Sequence, residues 1–285
     1  MRIMEHPRSV ILTGEIRPRK SLSQSFLTSE FWADQIAQWA TQGRPAEVWE
    51  IGPGLGAITR SLVRRTNASI TVFEIDPKAI AYLKKQLPSL KIIEGDFLLV
   101  DMTAKAGGHG PLHIVSNLPY HISSPVFFKL LESRSLFARC VLTFQKEFSE
   151  RLIARPRTKS YGGLSVLAQL CFKIELLGTI PPTLFYPKPG VSSQVVLLEP
   201  IPTLPENFDA LRLLVRASFA YRRKKLMSNL KKAFPSAPVE GIFEQLGISP
   251  MARAEELSKE MFVRLAKKID STNAVMASFG LQSPG

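Results

Sequence analysis

Apolar positions along the chain follow two rhythms, and the change comes near residue 200. From Val48 to about Glu199, short runs rich in Val, Ile and Phe alternate with stretches of helical period. The runs at 48–51, 70–74, 90–93, 112–115, 140–144, 172–180 and 193–198 predict strands, and those at 78–87 and 124–131 predict helices. Residues 145–147 lead into a further helix, and 193–198 are expected to close the sheet. This βαβ rhythm predicts an α/β domain on a parallel sheet. An amphipathic segment at 29–39 comes first, with Phe31, Ile36 and Trp39 on or near one face. Past a proline-marked linker at 201–205, Leu211, Leu214, Val215 and Phe219 keep a helical period and the remainder reads as helical. Residues 1–20, with Arg17, Pro18, Arg19 and Lys20, keep no period and are expected to form a mobile basic arm. The expected domains are therefore 1–20, 21–200 and 201–285.

One strand-to-helix junction carries chemistry. Val48-Trp49-Glu50-Ile51-Gly52-Pro53-Gly54-Leu55-Gly56-Ala57 reads as a buried strand, a glycine turn and a helix opening near Ile58. Gly52, Gly54 and Gly56 have no side chain to hold a bulky ligand off the backbone, and the helix start offers free amides at its positive end. Gly52-x-Gly54-x-x-Ala57 also satisfies the dinucleotide fingerprint, with Glu74 or Asp76 ~20 residues on for a ribose hydroxyl. The turn by itself leaves the nucleotide open. Glu74 ends a predicted strand, where two carboxylate oxygens suit both hydroxyls of a ribose. Asp96, one strand later in Gly95-Asp96-Phe97, suits an adenine amine. A helix cap or turn carboxylate is the competing role of each.

A second junction narrows the choice. Ser116-Asn117-Leu118-Pro119-Tyr120 leaves the strand at 112–115, and strand exits are where ligands sit in open α/β sheets. The exocyclic amine of a purine is a poor nucleophile because its lone pair is delocalised into the ring. The Asn117 side-chain carbonyl and the Leu118 backbone carbonyl can each accept one of its N–H bonds, which frees the lone pair. Pro119 fixes the turn, and Tyr120 offers a ring on which an extruded base stacks. A nicotinamide enzyme has no use for this set. Phe185, in the rigid loop Pro181-Pro182-Thr183-Leu184-Phe185-Tyr186-Pro187-Lys188-Pro189, is the candidate for the other side of the base, with an aromatic plug beneath the loop as its competing role. Gln24-Ser25-Phe26-Leu27 either caps the helix that follows or folds over a bound nucleoside.

Composition changes the picture through charge. With 285 residues, 45% of them hydrophobic, the chain suffices for one large and one small domain. The formal charge of +13 points to a polyanionic partner, nucleic acid first. Arg222, Arg223, Lys224 and Lys225 stand together beside Phe219 and Tyr221, with Lys231 and Lys232 further on. Such a cluster suits a sugar-phosphate backbone, and a solvated helical face is the alternative. Arg151, Arg155, Arg157 and Lys159 form a second basic stretch around Tyr161-Gly162-Gly163, placed by the pattern on the rim of the sheet's ligand end. Cys140 and Cys171 lie in apolar runs as buried free thiols, and His6, His109, His113 and His121 lack metal-site spacing, so no metal is expected. No apolar run nears the ~20 residues of a membrane span, and no signal-peptide core opens the chain. A reduced, cytoplasmic protein without membrane contact is expected.

These motifs, in this order, make the chain resemble the small-subunit ribosomal RNA adenine dimethyltransferases of the KsgA type. The shared landmarks are Gln24-Ser25-Phe26-Leu27, Glu50 to Gly56, Glu74-Ile75-Asp76, Gly95-Asp96, Asn117 to Ser123, Gln145-Lys146-Glu147, Tyr161 to Ser165, Phe185 with its prolines, Phe219 to Lys224 and Met251-Ala252-Arg253-Ala254-Glu255. The resemblance implies a class I methyltransferase domain, Rossmann-like with a mostly parallel seven-stranded sheet, and a small helical C-terminal domain that binds RNA. It implies S-adenosylmethionine as methyl donor, held by Ser25, Leu27, Gly52, Gly54, Glu74, Asp96 and Asn117. It implies dimethylation of N6 on two adjacent adenosines near the 3′ end of small-subunit RNA, within the assembling small subunit, by a monomer. One departure stands out, because the family usually has Asn where this chain has Ser25. Methyltransferases of large-subunit RNA share the catalytic turn, and a non-enzymatic assembly factor would use the same basic surface. The cluster at 219–224 and the stretch at 251–255 argue against the first, and intact Asn117 and Tyr120 against the second.

Overall fold

The computed structural model describes residues 9, 18–19, 24–106, 111–221 and 223–270. Arg222, His109 and most of the expected basic arm lie outside the described residues. The strands are β1 (Phe26–Leu27), β2 (Glu47–Ile51), β3 (Ser69–Glu74), β4 (Lys91–Glu94), β5 (Leu112–Asn117), β6 (Arg139–Gln145), β7 (Phe172–Ile180), β8 (Phe185–Tyr186) and β9 (Ser193–Pro200). The principal helices are α1 (Glu30–Thr41), α2 (Ala57–Arg65), α3 (Pro77–Gln86), α4 (Ser123–Glu132), α5 (Lys146–Leu152), α6 (Gly163–Cys171), α7 (Phe208–Phe219), α8 (Leu226–Ala233), α9 (Val239–Leu246) and α10 (Lys259–Asp270). By contact the chain divides into two units. One takes the residues up to Ser149 together with Lys173–Pro200, and the other takes Glu150–Phe172 together with the residues from Ile201 on.

The first unit is the expected α/β domain. Its seven-stranded sheet runs β4-β3-β2-β5-β6-β9-β7, with β2, β3, β4, β5 and β6 parallel to one another and β9 antiparallel to β6. The last strand therefore does not close the sheet but is inserted, leaving β7 at the edge. Burial explains the order. The first six residues of β9 are all buried, as befits a strand covered on both faces, whereas the positions of β7 between its buried ends are exposed or half-buried. Helix α1 is capped by Ser29, whose hydroxyl accepts from the Trp32 amide, and it buries Ala33, Ile36, Ala37 and Ala40. That i, i+3, i+4, i+7 stripe joins Leu27, Val48, Ile58, Leu62, Val115, Val141 and Val195 in one core. Phe31 is outside it and 65% exposed, contrary to the face expected from the sequence, because the small alanines let the helix approach closely on the stripe they share with Ile36. Residues Phe26–Leu27 pair antiparallel with Phe185–Tyr186, so the segment before α1 forms a two-stranded ribbon with the proline-rich loop. The buried Glu50 of β2 accepts a 2.6 Å hydrogen bond from Thr59 Oγ1 of α2. Burial pushes its carboxyl up to about 8, an effect that the Thr59 hydroxyl opposes and the nearby Glu74 reinforces.

The second unit is helical. Its part from Glu150 to Phe172 was expected within the sheet domain, but α6 buries Leu164, Val166, Leu167, Ala168 and Cys171. It is covered by α7, whose Val215 and Phe219 lie against Gly163. Phe219 also meets the rings of Tyr161 and Phe262, at 6.2 and 5.7 Å between centroids. The buried Tyr161 donates its hydroxyl proton to the Leu257 carbonyl at 2.8 Å. Asn229 of α8, only 5% exposed, donates to the carbonyls of Ser218 and Tyr221 at 2.8 and 3.3 Å. One buried amide thus pins the end of α7 and the start of the turn that carries the basic cluster.

Two stability outcomes follow. Glu50 stays protonated in the folded chain up to about 8, against an ordinary value of 4.5, so the unfolded chain binds fewer protons between the two. The Glu50 contribution is complete below the lower value and is lost as pH rises through the upper one, at up to about 1.4 kcal/mol per pH unit. Glu50→Gln removes this slope, and its gain in melting temperature over wild type should grow from pH 5 to pH 8 in thermal scans. Asn229→Ala leaves the buried Ser218 carbonyl short of a donor, while the Tyr221 carbonyl keeps the Lys224 amide, and should cost about 1–3 kcal/mol in urea unfolding.

Candidate active site

The glycine turn at the exit of β2 is shaped by its neighbours. Gly54 has φ +54°, and a Cβ there would stand 2.8 Å from the Phe26 ring. Gly56 has φ +72°, and a Cβ there would stand 2.9 Å from Leu83. Any other residue would meet both the left-handed backbone penalty and a packed side chain. Gly56 precedes α2, whose first turn opens beside the cleft.

Glu74, at the end of β3 and 5% exposed, binds this turn directly. Its Oε2 accepts from the Gly54 amide at 2.9 Å, and its Oε1 accepts from the amides of Ile75 and Asp76 at 2.9 and 2.8 Å. Burial raises its pKa, and these three amides draw it back. Of the two acids proposed for a ribose, Asp76 is committed elsewhere and fully buried. Its Oδ1 accepts from the Lys78 amide as the cap of α3, and its Oδ2 accepts from Gln24 Nε2 at 2.8 Å. Glu74 faces the cleft and Asp76 does not. Asp96 also faces it. One of its oxygens caps the turn Phe97–Leu99 through the Leu98 amide, and the other has no partner among the described residues.

The Asn117 turn stands across from these groups. Asn117 ends β5 and donates from Nδ2 to the Ser25 carbonyl at 3.3 Å. Because a carbonyl only accepts, this contact sets the amide's orientation and leaves Oδ1 as an acceptor without a partner among the described residues. The Leu118 carbonyl likewise receives no hydrogen bond among the described residues, although its side chain is buried. Pro119 heads a short turn, Tyr120–Ile122, and its carbonyl accepts from the Ile122 amide at 3.2 Å. Ser25 donates its hydroxyl proton to the Pro187 carbonyl at 2.8 Å, so its side chain serves the ribbon.

A single cleft is lined by Ser25, Leu27, Gly52, Gly54, Glu74, Asp96, Asn117, Leu118, Pro119, Tyr120 and Phe185. The first unit thus brings together the residues of the Asn117 turn, Phe185 and the cofactor residues that the resemblance implies, while Asp76 and Gly56 do not line the cleft. Phe185 is 4% exposed and packs with Leu27 in the core, so its ring both plugs the loop and reaches the cleft. Arg151 and Arg155 are exposed and belong to the helical unit; Arg223, Lys224 and Lys225 are exposed there too. The sequence reading gave no role to Glu50 or Ser193. The first was signalled by an acid inside an apolar strand, and the second by nothing local, since its partner, Tyr120, is 73 residues away.

Known proteins share this architecture. The family model described as "Ribosomal RNA adenine dimethylase" matches residues 16–271. Ribosomal RNA small subunit methyltransferase A of Geobacter sulfurreducens is 40% identical over 88% of this chain and 95% of its own, and that of Salinibacter ruber is 40% identical over 90% and 86%. Among solved structures, a dimethyladenosine transferase from Plasmodium falciparum superposes with TM-score 0.74 at 26% identity, covering 87% of this chain and 98% of the other. The 23S rRNA methyltransferase ErmE follows at TM-score 0.64 and 26% identity over 86% and 99%. The family match over residues 16–271, together with relatives 40% identical over most of its length, places the chain in the ribosomal RNA adenine dimethylase family.

Proposed function

We propose that this protein, an S-adenosylmethionine-dependent ribosomal RNA adenine dimethyltransferase, methylates N6 of two adjacent adenosines near the 3′ end of small-subunit RNA during assembly of that subunit. The observation that carries the reading is the Asn117 amide. Its nitrogen is spent on Ser25, and its oxygen is open to the cleft beside the free Leu118 carbonyl.

When bound, S-adenosylmethionine supplies a methyl group activated by a sulfonium. The residues present fit it. Gly52 and Gly54 would admit its backbone-hugging end, Glu74 would take ribose hydroxyls on lone pairs its amide partners leave free, and the open oxygen of Asp96 would take the adenine amine. Leu27 would wall the cleft, and Ser25 would contribute backbone, its hydroxyl being occupied. Asn117 Oδ1 and the Leu118 carbonyl would each accept one N–H of the target amine, favouring a pyramidal nitrogen with its lone pair toward the donor. Tyr120 and Phe185 would hold the flipped base. Positioning and this relocalised lone pair supply most of the acceleration, and no strong general base is needed. Once one methyl is in place only one N–H remains, so the base has to turn within the same grip.

The basic residues of the helical unit complete the reading. Arg223, Lys224 and Lys225, with Arg151 and Arg155, would contact RNA phosphates, and Arg222 joins them by sequence. The chain would act as a monomer in the cytoplasm. Support for this comes from a cleft lined within one chain and from two buried cysteines, Cys140 and Cys171, that form no disulfide.

Asn117→Ala should lower transfer to unmethylated small subunits by about 10²-fold or more while cofactor affinity by calorimetry stays within several-fold. An active variant removes Asn117 from the chemistry. Reversing charge at Arg223 and Lys224 should weaken RNA binding and reduce the slope of log K against log salt by about 1–2 in filter-binding titrations.

A further inference from the structure

The Tyr120 ring is joined to the chain through a short turn, and a tyrosine side chain has two soft torsions. A bond at its tip restrains both torsions. That tip is held, because Tyr120 Oη lies 2.8 Å from Ser193 Oγ, and neither hydroxyl has another side-chain or backbone partner among the described residues. Ser193 is fully buried and opens β9, where it stands opposite Gln145 of β6. Thr143, two residues before Gln145, is in register with Asn117 on β5. Side chains alternate along strands and align across them, so Asn117, Thr143, Gln145 and Ser193 share one face of the sheet. The tip of the Tyr120 ring and the carbonyl acceptor of Asn117 are therefore referenced to one rigid ladder. Burial raises the phenol's pKa, an effect that the bond to Ser193 opposes, and either hydroxyl can donate in that bond.

We propose that Ser193 is a positioning residue for methyl transfer, which holds the Tyr120 ring at the angle where the target adenine stacks, and that it matters most for the second methyl. The inference rests on the reading of Tyr120 as the stacking platform. In the first transfer two N–H bonds can fix the amine against Asn117 and Leu118. In the second a single N–H is left, so stacking has to supply orientation that hydrogen bonding no longer does. A ring free to tilt would spare the first transfer and impair the second.

The test compares Ser193→Ala, Tyr120→Phe, the double variant and Tyr120→Ala, all in the full chain. Unmethylated small subunits and labelled S-adenosylmethionine are used, and mono- and dimethyladenosine are resolved in the product. Ser193→Ala and Tyr120→Phe should each raise the mono- to dimethyl ratio by about threefold or more, with cofactor affinity unchanged within about twofold. The double variant should match either single one, because both remove the same bond. An unchanged ratio in Ser193→Ala, with Tyr120→Ala inactive, overturns the role of Ser193 and leaves the platform standing. A further drop when Ser193→Ala is added to Tyr120→Phe also overturns it, since Ser193 would then act by another route. Full dimethylation by Tyr120→Ala removes the platform itself.

Discussion

A carboxylate with three backbone amides around it governs the geometry of this protein. Glu74 reaches from the end of β3 to the Gly54 amide of the adjacent turn and turns back on the amides of Ile75 and Asp76. In a site this buried an unpaired carboxylate would be costly, and bare amides on a turn would be costly too. Joining them offsets both costs and locks two loops to each other. The glycine turn is therefore held open by a residue twenty positions later, and its shape is settled before any ligand arrives.

The same economy extends to the target side. The segment Gln24 to Leu27 pairs as a strand with Phe185–Tyr186, sends Gln24 to Asp76 and offers the Ser25 carbonyl to Asn117. One short ribbon thereby touches the acid that caps α3, the proline-rich loop and the amide proposed to grip the purine. Asn117 gains direction without losing its acceptor, because the partner it meets accepts only. Ser25 fits this arrangement. Its hydroxyl stabilises the ribbon and its backbone does the orienting.

Charge and chemistry are carried by different parts of the chain. The cleft is built within the α/β unit, while the exposed cations Arg151, Arg155, Arg223, Lys224 and Lys225 belong to the helical unit, whose turn after α7 is tied down by Asn229. Phosphate recognition tolerates a solvated, salt-screened surface, whereas relocalising a lone pair needs fixed acceptors with little water. The proposed function assigns these two demands to different kinds of surface.

Much of this was legible in the residues. Strand and helix periods, the three glycines, and the acids at successive strand ends are local signals, written within a few positions, and they carried the α/β class and the cleft's lining. Local pattern also put Phe31 on the wrong face, set β9 at the sheet's edge and counted 150–172 with the sheet. Each of these depends on what a segment packs against, and a run such as 193–198 reads the same inside a sheet as at its border. The tie of Asp76 to Gln24, the third amide on Glu74, the free oxygen of Asn117 and the bond of Tyr120 to Ser193 join residues twenty to ninety-two positions apart. The sequence by itself determined which chemical groups were present and which strand ends bore them. Only the tertiary structure decided which lone pairs were already spent and which remained to work, because a hydrogen bond is settled by distance and direction, which no spacing along the chain records.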